Sequence, residues 1–210
     1  MSARLIYVMD PMCSWCWGFA PVASALIDQA SQAGVPTHLV VGGLRSGSAA
    51  LDGATRKYIL EHWQAVAQTT GQPFNFEGAM PDGFVYDTEP ACRALVAARE
   101  LDGERLWPLL AAIQSAFYEG AHDVTTAPHL VELAEQAGFE RGPFAEAFTR
   151  AETRAATAAD FAWAQGLGIA GFPTLLAERN GQLALLTNGY QPLERLQPLL
   201  GRWLQQAANA

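Results

Sequence analysis

Cys13 and Cys16, two cysteines three residues apart, are the residues of this chain whose types and spacing most directly suggest chemistry. They stand in "IYVMDPMCSWCWGF", where an apolar run ends at Asp10-Pro11 and Trp15 and Trp17 flank the second thiol. A Cys-x-x-Cys pair can be half of a metal site, two small core residues, or a dithiol that exchanges disulfides. A zinc site needs two more ligands, which would have to come from Cys92 and four histidines, none at finger-like spacing. A reactive dithiol needs the first cysteine at the start of a helix, where free backbone N–H groups and the positive dipole end favour a thiolate over a thiol. The second, nearly one turn further on, then faces the same side and can attack a mixed disulfide formed on the first. In that arrangement Cys13 attacks and Cys16 resolves.

The surrounding pattern supplies such a placement. Leu5 to Met9 is short, apolar and bounded by Asp10-Pro11, as a buried strand is. From Cys13 onward, Trp15, Phe19, Val22, Leu26 and Ile27 recur at helical spacing up to Gly34, with Pro21 inside the run. "PTHLVVGGL" reads as a second buried strand, so the opening is strand, helix, strand, a unit that favours parallel pairing. From 45 to 155 the pattern is helical throughout. Thr88 is the expected cap of one of these helices, with Pro90 in its first turn. "PFAEAFTRAETRAATAADFAWAQGLG" reads as one long helix returning the chain to the core. After it, "TLLAE" and "QLALLT" flank Asn180-Gly181, a favoured two-residue hairpin turn, and "LERLQPLLGRWLQQ" is a closing helix.

Pro173 stands just before the first hairpin strand, where it removes no central ladder bond. A cis Phe172-Pro173 bond there would bring the backbone of residue 172 beside the thiol, ready to pair with an extended polypeptide. Other residues with chemical potential have plainer readings. Cys92 fits a small buried hydrophobe. His122-Asp123 falls between helices with no nucleophile nearby in sequence and reads as a surface pair. Trp15 suits a peptide-binding lip or packing equally, whereas Trp17 suits packing. Gly42-Gly43 reads as a turn and Asp10 as an Asx-turn or cap residue, with a role as proton acceptor for Cys16 the less favoured reading.

Half of the 210 residues are apolar, enough to bury a sizeable core. A formal charge of -8, from 21 acidic and 13 scattered basic residues, argues against nucleic acid or an anionic membrane as partner. No run approaches the roughly 20 apolar residues of a membrane span. The N-terminal run is too short for a signal sequence, so the expected location is cytoplasmic, where a structural disulfide framework is disfavoured.

On "DPMCSWCWGF", "GFPT" before the hairpin, and a helical segment between a β-α-β and an α-β-β-α half, the sequence resembles the DsbA family of the thioredoxin superfamily. It is most similar to the FrnE-like, protein-disulfide isomerase branch, which "DTEPACRALVAAR" and the stretch around Gln114, Phe117 and Tyr118 also resemble. The resemblance implies an α/β, thioredoxin-like domain formed by residues 1–44 and 156–210, with a helical insertion at 45–155. It implies thiol-disulfide exchange at Cys13 and Cys16, with Pro173 as the cis-proline facing them and Trp15, Phe172 and Pro173 meeting substrate. Expected partners are protein or peptide thiols and disulfides, with glutathione a possible co-substrate and no other cofactor or metal. Ser14-Trp15 adds no cation between the thiols, which points to a reductase or isomerase rather than a strong oxidase. Two other readings stand beside this one. One is a glutathione-linked transferase or isomerase of the kappa or chromene-carboxylate type, which shares a "GGL"-like turn but resembles Ser-Pro-Tyr-Ser at the helix start. The other is a chaperone-like peptide-binding module with vestigial cysteines.

Overall fold

A computed structural model describes residues 3–208. The chain opens with β1 (Ala3–Met9), α1 (Ser14–Gln32) and β2 (Thr37–Val41). Five helices follow: α2 (Gly53–Thr70), α3 (Glu89–Leu101), α4 (Leu106–Tyr118), α5 (Ala127–Gln136) and α6 (Arg141–Thr149). Then come α7 (Ala151–Gly166), β3 (Thr174–Arg179), β4 (Gln182–Asn188) and α8 (Leu193–Ala208). The fold is thioredoxin-like and α/β, with eight helices around a mixed sheet of strand order β2-β1-β3-β4. β1 is parallel to β2 and antiparallel to β3, and β3 is antiparallel to β4. None of the helices is long and apolar enough to cross a membrane, among the described residues.

β1 is apolar without alternation because both of its faces are covered. Leu5, Tyr7 and Met9 join the core formed with α1, α8 and the helical segment. Ile6 and Val8 point the other way, onto Val40, Leu176 and Ala164 of α7. The period of two thus assigns successive residues to two different packing layers. At the hairpin, Asn180 and Gly181 have φ of 50° and 81°, as an Asn-Gly turn requires.

β2 ends the sheet, and its outer edge carries polar groups that a free edge would leave open. Asp160 of α7 accepts from the Val41 N–H at 3.1 Å, and Arg99 of α3 donates to the Leu39 carbonyl at 2.6 Å. Arg99 and Asp160 are themselves paired at 2.8 Å. One ion pair therefore satisfies the strand edge and ties α3 and α7 to it. α3 is the most buried helix of the segment, with Ala91, Cys92, Ala94, Leu95, Val96, Ala97 and Ala98 all inside. A helix that is apolar on so many sides belongs at the centre of a bundle.

Two local expectations differ from the fold. The long alanine-rich helix is two helices, broken at Arg150 (φ -59°, ψ 145°). Phe144 and Phe148 of α6 are buried with α3, and after the turn α7 runs across both α3 and β2, with Ala164 buried against the sheet. Thr88 occupies the cap position of α3 but makes no side-chain cap. Its hydroxyl bonds instead to the Arg45 carbonyl at 3.2 Å.

Gly42 and Gly43 are packing residues as well as a turn. A Cβ on Gly42 would sit 2.0 Å from the Phe172 ring, and one on Gly43, whose φ is +67°, would meet the Phe161 ring at 2.9 Å. The missing side chains let the tip of the Phe172 ring approach Gly42 and the Phe161 ring approach Gly43. Gly42→Ala is therefore expected to destabilise the protein by about 1–3 kcal/mol, the usual cost of overpacking. Urea unfolding of the variant would measure it, and an unchanged midpoint would contradict this packing.

Candidate active site

The turn from β1 into α1 is held by its own backbone. The Cys13 N–H donates to the Asp10 carbonyl at 3.0 Å, and the Cys13 carbonyl receives the N–H groups of Cys16 (2.9 Å) and Trp17 (3.1 Å). Cys13 is the N-cap residue of α1, with extended φ and ψ and no side-chain cap bond. Its sulfur therefore stands at the N-terminus of a 19-residue helix with no acidic residue in its first turn. Cys13 is 6% exposed and Cys16 is 0% exposed, so only the first thiol has any opening to solvent. All three cysteines are free thiols.

β3 brings the opposing element. Its antiparallel register sets Thr174 against Val8, so the residues before β3 run beside the turn that follows β1. There the Phe172–Pro173 bond is cis, and the Phe172 carbonyl lies 3.6 Å from the Cys13 sulfur, which donates to it. Pro173 is buried, and its carbonyl accepts from the Gly189 N–H at 2.7 Å. Cys13, Cys16, Phe172 and Pro173 are thus brought together. Trp15 is half-buried beside them, 5.9 Å from the Tyr190 ring, and lines the same cleft as Cys13. Trp17 turns inward, stacks on Tyr118 at 5.9 Å and donates its indole N–H to the Pro73 carbonyl. It anchors the motif to the helical segment.

Sequence reading understated Asp10. Its carboxylate is fully buried, accepting from the Met12 N–H at 2.8 Å in an Asx-turn and from the Leu44 N–H at 2.7 Å. Cys92 donates its thiol to the same group at 3.4 Å. One side chain therefore joins the cysteine turn, the Gly42–Leu44 loop and α3. Cys92 is buried, as expected, but it supports the site rather than lying remote from it. No signal within the α3 sequence itself pointed to Asp10. Tyr86 adds a further brace, its hydroxyl donating to the Met12 carbonyl at 2.5 Å. His122, by contrast, meets the His129 ring edge-to-face, and Asp123 accepts from Thr125.

The electrostatics follow from burial. Desolvation raises the Asp10 carboxyl above its ordinary range, and the hydrogen bonds from the Leu44 and Met12 N–H groups and the Cys92 thiol only partly oppose it. Cys16 is pushed well up, first by burial and then by the neighbouring Cys13, while the Asp10 backbone hydrogen bond lowers it and the Asp10 charge adds a smaller push upward. Tyr7, beneath the pair, is raised by burial and by Cys16. Cys92 is held protonated by burial and by Asp10. No group of three or more His, Cys, Asp or Glu side chains that could hold a metal ion occurs among the described residues.

A family model described as a DSBA-like thioredoxin domain matches residues 4–201. The chain belongs to that family. It is 43% identical to a Nitrosomonas europaea protein whose crystal structure is described as that of a "putative protein disulfide isomerase", with a TM-score of 0.91 over 98% of this chain and 99% of that one. It is 33% identical to the cytosolic disulfide reductase DsbM from Pseudomonas aeruginosa, with a TM-score of 0.80 over 99% of this chain and 100% of that one. The structure of DsbM with GSH is also similar, at 31% identity and a TM-score of 0.79 over 96% of this chain and 99% of that one. No match is found among curated proteins. The chain is thus a thiol-disulfide oxidoreductase of the DsbA type.

The Asp10 bonds can be tested directly. Asp10→Ala leaves the buried Met12 N–H and the part-buried Leu44 N–H without their acceptor, a buried one costing about 1–3 kcal/mol. A loss of about 2–5 kcal/mol in urea unfolding is expected. A loss below about 1 kcal/mol would show that the two N–H groups find other acceptors.

Proposed function

We propose that Cys13 and Cys16 form the redox-active pair and that the protein reduces or reshuffles disulfides of peptide and protein thiols, with glutathione as a co-substrate. The observation that carries this reading is the placement of the Cys13 sulfur at a helix N-terminus, opposite the Phe172 carbonyl, with Cys16 buried behind it. In the reducing direction, the Cys13 thiolate attacks one sulfur of a disulfide, forming a mixed disulfide and releasing one thiolate. Cys16 gives up its proton, attacks the Cys13 sulfur and expels the second thiolate. The substrate gains two electrons, and the protein is left with a Cys13–Cys16 disulfide, which two glutathione molecules can reduce in turn. Phe172 and Pro173 meet the substrate backbone, and Trp15 offers an apolar wall.

The bias toward reduction has two physical supports. Ser14-Trp15 places no cation between the thiols. Burial, and after it the neighbouring Cys13, oppose a charge on Cys16, whereas a strong oxidant needs a stabilised reduced form. The similarity to a cytosolic disulfide reductase accords with a cytoplasmic setting. A chromene-carboxylate isomerase shares the fold at 16% identity, but here a cysteine with a second thiol behind it occupies the helix start.

Three measurements test the reading. Limiting iodoacetamide should label Cys13 ahead of Cys16 in the reduced protein, and the reverse preference would overturn the assigned roles. Cys13→Ser should abolish exchange, while Cys16→Ser should accumulate a mixed disulfide with glutathione, seen by mass spectrometry. Equilibration with glutathione buffers should give a potential well below the roughly -120 mV of DsbA. A value at or above that figure would make the protein an oxidant.

A further inference from the structure

A cleft of about 200 Å³ opens on the reactive thiol. Cys13, Ser14 and Trp15 line one side, Tyr58 and His62 of α2 the other, and Arg45 a wall between them, next to Tyr86. Although acidic residues outnumber basic ones 21 to 13 in the chain, no Asp or Glu lines this cleft. Arg45 and His62 are the only lining side chains able to carry positive charge.

Six other arginines pair with a carboxylate. Arg45 has no ion-pair partner among the described residues, yet it is held in place. Its carbonyl accepts the Thr88 N–H at 2.9 Å and its own N–H donates to the Thr88 hydroxyl at 3.3 Å. Its guanidinium lies over the Tyr86 ring at 5.0 Å, and Tyr86 is bonded to Met12, the residue before the attacking cysteine. A guanidinium resting on an aromatic ring with unused donors, beside a reactive sulfur, is suited to a planar anion. His62 lends a second polar point. Its Nδ1 is 3.1 Å from the Tyr58 carbonyl, which can only accept, so Nε2 is left for another partner.

Resting on the reading of Cys13 and Cys16 as the reactive pair, we propose that Arg45 sets the substrate class: the site prefers small disulfides carrying a carboxylate close to the sulfur, of the glutathionyl kind. Arg45 receives that carboxylate and holds the disulfide against Cys13. The glutathionyl group suits such a receptor because a carboxylate lies on each side of its cysteine. Arg45 thereby acts on substrate choice, while the exchange itself stays with the two thiols.

Single-turnover reduction of three symmetrical disulfides tests this. Pre-reduced protein is mixed with oxidised glutathione (anionic), hydroxyethyl disulfide (neutral) or cystamine (cationic), quenched with acid, and its remaining thiols are counted. Each rate is divided by that of the same disulfide with dithiothreitol, which removes intrinsic reactivity. The wild-type protein should favour oxidised glutathione over hydroxyethyl disulfide, and the preference should shrink with added salt. Arg45→Gln should lower that ratio about tenfold, equivalent to one lost charge-assisted contact, and Arg45→Glu should turn the preference toward cystamine. Arg45→Lys should restore part of it. A wild-type ratio near one, or an equal loss for all three disulfides in Arg45→Gln, would overturn the proposal, the second because Arg45 would then act on the dithiol. If none of the disulfides is reduced, the dithiol reading itself fails, and the substrate inference fails with it.

Discussion

Asp10 carries a charge into the protein interior, and the geometry around Cys13 depends on what that charge is bonded to. Desolvating a carboxylate costs several kcal/mol, so it persists only where donors converge on it. Here the Met12 and Leu44 N–H groups supply the strong bonds, at 2.8 and 2.7 Å, and the Cys92 thiol a weaker one. The first bond closes the turn that delivers Cys13 to the start of α1. The second fixes the loop on which Gly42 seats Phe172, and so sets the distance between the Phe172 carbonyl and the thiol. Turn, loop and central helix meet at one side chain. A neutral, apolar residue could fill the space, but it would leave the two N–H groups unmet.

Asp10 also borders the second thiol. Burial keeps Cys16 protonated, and the backbone and the charge of Asp10 act on it in opposite directions. The two thiols of one motif are therefore unequal for reasons outside the motif. Cys13 has a helix N-terminus and an opening to solvent, whereas Cys16 has an apolar surround, a buried tyrosine and a carboxylate. An attacking group must be reachable and a resolving group protected until a mixed disulfide forms beside it, and this asymmetry meets both needs.

Much of this was legible in the sequence because it depends on local pattern. The β-α-β opening, the hairpin at Asn180-Gly181 and the proline facing the cysteines follow from periodicity, turn chemistry and family resemblance. What escaped reading depends on contacts between distant segments. The break at Arg150 carries no helix-breaking residue; beyond it α7 reaches both α3 and β2, whereas α6 packs on α3 and α5. Thr88 has a cap residue's type, yet its hydroxyl is used by Arg45, 43 positions away. Cys92 looked like any small core residue because nothing in its own helix marks Asp10, 82 positions earlier, as its partner.

Gly42 and Gly43 show the same limit from the side of packing. A Gly-Gly after a strand is ordinary turn composition, and only the approach of the Phe172 and Phe161 rings gives it a second use. Those rings come from the far end of the chain, carried in by α7 and by the β1–β3 register. The candidate site is thus assembled at a seam. The early half supplies the thiols and the glycines, the late half supplies Phe172 and Pro173, and the segment between them supplies Tyr86 and Thr88 from a loop and Cys92 from α3. Since α3 also grips the edge of β2 through Arg99, displacing that helix would loosen the strand, the loop and the turn together. The helical segment is in this sense part of the active-site scaffold, which explains why Trp17, in the cysteine motif itself, spends its indole on Pro73 and its ring on Tyr118.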